Sequence, residues 1–177
     1  MRNTKISIAV LLVLLASAEV AISAADAPSL SRAQLAAAEQ NVDAKMLRLW
    51  NDNSLSLVGE TRAVYVPGFG LVLSAEINLI TPTSSLFGDT PTEKDKADLR
   101  KRKTDRLPIL QSAMKEAMAN VATSLTWVPA NEQIAFSVIL PRLNWESGIP
   151  KQLTMQATKQ DLLGPQRGKA VKIVEAN

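Results

Sequence analysis

The chain has 177 residues, 46% of them hydrophobic and 21% charged, with a formal net charge of +3. It contains neither cysteine nor histidine. That removes disulfides, the thiol nucleophile, the commonest zinc ligands and the usual general base from the chemistry available. So small a charge surplus does not compel a nucleic-acid or membrane partner, and no cofactor is expected.

The first 25 residues read as a secretory leader. Arg2 and Lys5 precede an apolar run from Ile6 to Ala18, which ends among the small residues Ala16-Ser17-Ala18 and Ser23-Ala24-Ala25. A basic start, a short apolar centre and a small-residue exit are the three parts of a signal peptide. The run is 13 residues long and is followed at once by Glu19, whereas a membrane-spanning helix needs roughly 20 apolar residues. Cleavage is expected after Ala25, with Ala18 as the alternative site; an uncleaved anchor is the competing reading. With no cysteine for lipid attachment and no twin arginine, a Sec-type route to the periplasm or the exterior is indicated. Residues 26–177 then form one domain with a net charge of +2, because the leader carries Arg2, Lys5 and Glu19. No membrane span is expected after cleavage.

A linker at residues 26–30 leads into a helix that Ser31 caps, with Gln34 in the capping-box position. Leu35, Ala38, Val42, Met46 and Leu49 recur on one helical face, while Glu39, Asp43 and Lys45 are expected elsewhere. Asn51-Asp52-Asn53 should end this helix. Thr61–Val66 and the alternating run Leu71–Ile80 form two strands, with Leu71, Leu73, Ala75, Ile77 and Leu79 on one face and Ser74, Glu76 and Asn78 on the other. Pro67-Gly68-Phe69-Gly70 joins them, Pro67 fixing φ and Gly68 supplying the positive φ of a type II turn.

A loop from Thr81 to Asp89 precedes a helix start at Thr90-Pro91-Thr92-Glu93, with Thr90 as the expected N-cap. Pro108 predicts a break or kink. Beyond it, Leu110, Met114, Ala117, Met118, Val121 and Leu125 mark the main core helix. Ile134, Phe136, Val138 and Leu140 alternate in a third strand, and Leu153, Met155 and Ala157 in a fourth, joined by a loop containing Asn144–Pro150. A short helix at Lys159–Leu163 leads to a loosely ordered tail, 165–177, in which Val171–Val174 suggests an edge strand. The fold class is therefore α+β: a mostly antiparallel sheet of about four strands, in two pairs, with two main helices on one face.

Among candidate sites, Arg100-Lys101-Arg102-Lys103, extended by Arg106, is the densest charge run. It suggests a platform for an anionic partner, weighed against a solvated helix face. No aromatic residue is interleaved for base stacking, so nucleic acid is not the expected partner. The tip Pro67, Gly68, Phe69 and Gly70 is a possible interaction point, or simply a turn whose phenylalanine folds back on the core. Ser112-Ala113-Met114-Lys115 matches the S-x-x-K of serine acyl-enzymes, but without the companion elements and from inside a helix. Gly164–Ala170 fails as a phosphate loop because its spacing and final residue are wrong. Glu60 and Glu76 lack a second acid at any readable spacing. The expectation is a non-catalytic exported binding or assembly module whose partner is an unidentified protein or an anionic envelope component, with a homodimer through the hairpin edges possible. The alternative is a small hydrolase using carboxylates, or Ser and Lys. Two carboxylates, or Ser112 and a lysine, converging in a concave pocket would favour the enzyme.

Overall fold

The alternating runs and capped helices assemble as an α+β unit in the computed structural model, which describes residues 31–49, 56–80, 92–165 and 171–176. The leader and its cleavage sites, the 26–30 linker, the Asn51–Asn53 turn, the Thr81–Asp89 loop, Thr90, Pro91 and residues 166–170 and 177 of the tail lie outside the described residues. In chain order the elements are α1 (Arg32–Met46), β1 (Ser56–Leu57), β2 (Arg62–Val66), β3 (Gly70–Asn78), α2 (Glu93–Ser124), β4 (Gln133–Ile139), β5 (Gln152–Thr158), α3 (Lys159–Leu163) and β6 (Lys172–Ala176). Among the described residues no helix is long and apolar enough to cross a membrane.

Six strand segments occupy five positions of one mixed sheet. β1 and β2 share one edge against β3, followed by β4, β5 and β6. The β2–β3 pairing is the expected hairpin: the Phe69 N–H donates to the Val66 carbonyl at 3.0 Å, and Gly68 sits at φ 79°. Between Leu57, opposite Ile77, and Arg62, opposite Ser74, the edge holds two residues more than β3 does. An even excess preserves the inward and outward alternation across the bulge.

The sheet departs from the expected antiparallel pattern at its centre. β3 and β4 run parallel, in register from Gly70–Gln133 to Glu76–Ile139, with α2 as the crossover between them. β4–β5 and β5–β6 are antiparallel, which adds the fifth strand position. Gly70 sits where β3 and β4 begin. A Cβ there would lie 2.0 Å from the Gln133 carbonyl oxygen, and its φ of 126° is unsuited to other residues. The parallel start therefore requires glycine.

One face of the sheet carries Leu71, Leu73, Ile77, Ile134, Phe136, Val138, Leu153 and Met155, all buried under the helices. The opposite face carries Ser74, Glu76 and Asn78 as expected, beside a hydroxyl–amide cluster in which Gln152 donates to Ser137 at 2.7 Å and Thr154 at 3.1 Å.

α2 is one helix of 32 residues that continues through Pro108, without the break that was one of the two expected outcomes there. The ring lies on the solvent side, and Thr104, whose carbonyl loses its helical donor, is exposed too, so water can replace the bond. Its N-cap is Thr92, in a reciprocal capping box with Asp95. At the other end, the Lys159 ammonium closes the helix by donating to the carbonyls of Leu125 and Val128, each at 2.7 Å. Burial pushes this lysine below its ordinary pKa.

α1 begins at Ser31, as expected, but ends at Met46, about one turn before the Asn51–Asn53 cluster. It also corrects the expectation for Glu39, which is 6% exposed rather than turned outward. Glu39 is chelated by Arg32 at 2.8 and 2.9 Å and accepts the Ala63 N–H at 2.8 Å. One turn on, Asp43 accepts the Thr61 N–H and hydroxyl. Two carboxylates four residues apart thus clamp α1 to β2.

Burial alone would raise the Glu39 carboxyl, but Arg32, the Ala63 N–H and Arg62 together outweigh it and hold the pKa below its ordinary 4.5. The unfolded chain therefore binds more protons than the native state in that acid window. The clamp contributes its full stability above pH 4.5 and loses it as the pH falls through the depressed value. Denaturant titrations across this range should show wild-type stability declining with acid, and a shallower decline for Glu39→Gln. Parallel slopes would exclude Glu39 as the acid-sensitive group.

Candidate functional site

The basic run on α2 does not form a surface of one kind. Its side chains divide by helical phase. Arg100 donates to the Trp145 carbonyl at 2.9 Å, Lys103 pairs with Glu146 at 2.6 Å, and Arg106 donates to the Leu79 carbonyl at 2.6 Å. These positions, three apart, continue upstream the stripe that buries Leu110, Met114, Ala117 and Val121. Lys103 and Glu146 are 4% and 0% exposed, so this ion pair is shut from solvent. The Glu146 carboxylate also accepts the Leu143 N–H at 2.7 Å, folding the segment after β4 into a tight turn. Lys101 and Arg102 remain outside, and Lys101 is bonded to Asp105 at 2.7 Å. Of the five cations considered as a platform, three fasten the loop between β4 and β5 and the end of β3.

The hairpin tip is anchored from below. Glu132, itself buried, accepts the Gly68 N–H at 3.2 Å and the Tyr65 hydroxyl at 3.1 Å. Tyr65 packs edge-on against Trp127 with ring centroids 5.1 Å apart. Burial, and then the Glu132 carboxylate, raises the tyrosine pKa. Pro67, Gly68 and Phe69 are exposed, Phe69 to 38%, and Gly70 is buried at the start of β4.

One concave surface lies away from both, between α1 and α2. A groove of about 530 Å³ is lined by Asn41, Lys45 and Arg48 from α1 and its C-terminal turn, and by Ser112, Glu116 and Asn120 from α2. It continues into a hollow of about 420 Å³ that adds Lys115 and reaches Leu162 of α3. The Lys45 ammonium pairs with the Glu116 carboxylate across the groove. Among the described residues, neither Arg48 nor Lys115 has an ion-pair partner.

These residues come from two helices separated by the hairpin, so no local motif announces them. The S-x-x-K spacing places Ser112 and Lys115 here together, with Lys45 opposite. Glu76 is half-buried on the other face of the sheet, away from these helices. Glu60 is exposed and bonded to Arg62 at 3.2 Å. Among the described residues no two carboxylates meet in the groove, where Glu116 is the one acid in the lining.

The Lys103–Glu146 pair gives a quantitative expectation. Removing one partner leaves a buried charge uncompensated, at a cost of about 3–5 kcal/mol. Lys103→Met should lose stability on that scale in urea unfolding, and adding Glu146→Gln should recover part of it, because Gln can still accept the Leu143 N–H. Lys101→Gln should change stability by no more than about 0.5 kcal/mol. Equal losses for Lys103→Met and Lys101→Gln would contradict the division of the run.

A scan of protein-family models, a search of curated proteins and a search of solved structures each returned no match for this chain.

Proposed function

We propose that the protein is a non-catalytic binding module that works after Sec-type export, in the periplasm or outside the cell. The leader-like start supports the location, and the α1–α2 groove supports the activity. The carrying observation is how the groove is built. Its walls are side chains of two helices, and helix-interior N–H groups are already spent on the turn before them. A ligand there meets ammonium, guanidinium, amide and hydroxyl groups. Among the described residues it meets no pair of free backbone donors that could hold an oxyanion.

One observation favours the hydrolase reading: Ser112 shares the groove with Lys45 and Lys115. A serine nucleophile needs a neutral base in contact with its hydroxyl. Lys45 instead holds an ion pair with Glu116, so its nitrogen is engaged by a carboxylate and not by the serine hydroxyl. Ser112 itself is exposed on the outer side of α2, where water has free access. The groove is suited to holding a ligand and poorly suited to acyl transfer.

A fluorophosphonate probe separates the two readings. The purified protein should remain unlabelled, and Ser112→Ala should not change its behaviour toward the probe. Stoichiometric labelling abolished by Ser112→Ala would replace the binding reading with the enzymatic one. Fractionation of the producing cells should place the processed chain outside the cytoplasm.

A further inference from the structure

The groove between α1 and α2 has a charge imbalance that its own contacts leave uncompensated. Among the described residues, Lys45, Arg48 and Lys115 face a single carboxylate, Glu116. Lys45 and Glu116 neutralise one another, which leaves Arg48 in the wall of the first hollow and Lys115 in the wall of the second. The first hollow also carries the neutral hydrogen-bonding groups of Asn41, Ser112 and Asn120, with an aliphatic floor that includes Ile109 and Ala113. From Ile109 to Ala119 the lining follows α2 for about 15 Å, at the helical rise per residue. That length suits a segment of a polymer better than a single small ion.

We propose that this groove binds an acidic polysaccharide. The proposal rests on the binding-module reading above and supplies its ligand class. Carboxylates of the glycan pair with Arg48 and Lys115, its hydroxyls bond to the amides and Ser112, and the aliphatic floor takes the C–H faces of the sugar rings. Glu116 serves as an internal stand-in for a ligand carboxylate. Its side chain is 62% exposed, against 27% for Lys45. The carboxylate is therefore free to swing aside while the ammonium stays in the wall to receive the incoming anion.

The chemistry selects this class over others bearing negative charge. A concave channel cannot lie flush on a flat bilayer. Among the described residues no aromatic side chain lines the groove to stack on bases. The alternation of cations with neutral amides matches a chain whose anions are interspersed with hydroxyls.

Titration calorimetry of the purified protein with polygalacturonate at low ionic strength tests this, with dextran as the uncharged comparison. Wild type should bind polygalacturonate and not dextran, and the affinity should fall with added salt. The double variant Arg48→Gln/Lys115→Gln should bind at least about fivefold more weakly through loss of complementary charge. Glu116→Gln should bind roughly two- to fivefold more tightly, since the exposed ion pair it removes competes with the ligand by about that factor. Unfolding midpoints measured alongside should be nearly unchanged, because Arg48 and Glu116 are exposed and Lys115 is only half-buried. The proposal is overturned by absence of polygalacturonate binding, by equal binding of dextran, by indifference to the double variant, or by weaker binding in Glu116→Gln. None of these outcomes bears on the binding reading itself, which fails on probe labelling of Ser112.

Discussion

The parallel pairing of β3 with β4 is the constraint from which the rest of the molecule follows. Parallel neighbours cannot be joined by a tight turn, so the chain must cross back over the sheet. α2 makes that crossing, but its 32 residues extend about 48 Å, whereas the nine of β3 span roughly 30 Å. The helix is longer than the surface it covers. Its C-terminal half packs on the core through Leu110, Met114, Ala117 and Val121. The N-terminal half is held by Arg100, Lys103 and Arg106, which reach the Trp145 carbonyl, the Glu146 carboxylate and the Leu79 carbonyl. Where hydrophobic burial gives out, polar ties take over on the same helical stripe.

That continuity explains what the sequence disclosed and what it concealed. Period-2 alternation in 71–79, 134–140 and 153–157 is a local property, and it placed the buried face of each strand correctly. The Pro67-Gly68 turn and the Ser31 cap are likewise decided by neighbouring residues. The direction in which β3 and β4 pair is settled by a contact between residues about 60 positions apart, and no local pattern carries it. Gly70 was visible, but its requirement became apparent only with Gln133 beside it. Pro108 misled because a missing N–H matters far less on the wet side of a long packed helix than within a short exposed one. The inward turn of Lys103 and Arg106 did have a signal: both stand in helical phase with Leu110. Charge type obscured it.

The two clamps of the fold use opposite signs to the same end. On α1, Glu39 and Asp43 offer carboxylates to N–H groups of Thr61 and Ala63 on the outer side of β2. On α2 and α3, Arg100, Arg106 and Lys159 offer cations to backbone carbonyls. In each case a side chain satisfies a main-chain group that the sheet or a helix end leaves without a partner, which a buried polar group requires. The hairpin edge is affected as well. Two of its outward donors are taken by α1, so β2 is less open to pairing with another strand than an unprotected edge would be. β6, exposed along its whole length, has no comparable clamp among the described residues.

This division decides which charges remain for function. A count of lysines and arginines along α2 suggests a single cationic surface at its N-terminal half, yet a cation paired with a buried carboxylate contributes little to the field outside. Lys103 is neutralised by Glu146, and Arg100 and Arg106 are engaged at the junction with the β4–β5 loop and the end of β3. Arg48 and Lys115, isolated in the sequence, have no ion-pair partner among the described residues and line a concave surface. A partner approaching from solution responds to the unpaired charges and the shape between them, not to the density of basic residues along the chain. The groove between α1 and α2 therefore has the stronger claim to an anionic ligand than the run whose composition first suggested one.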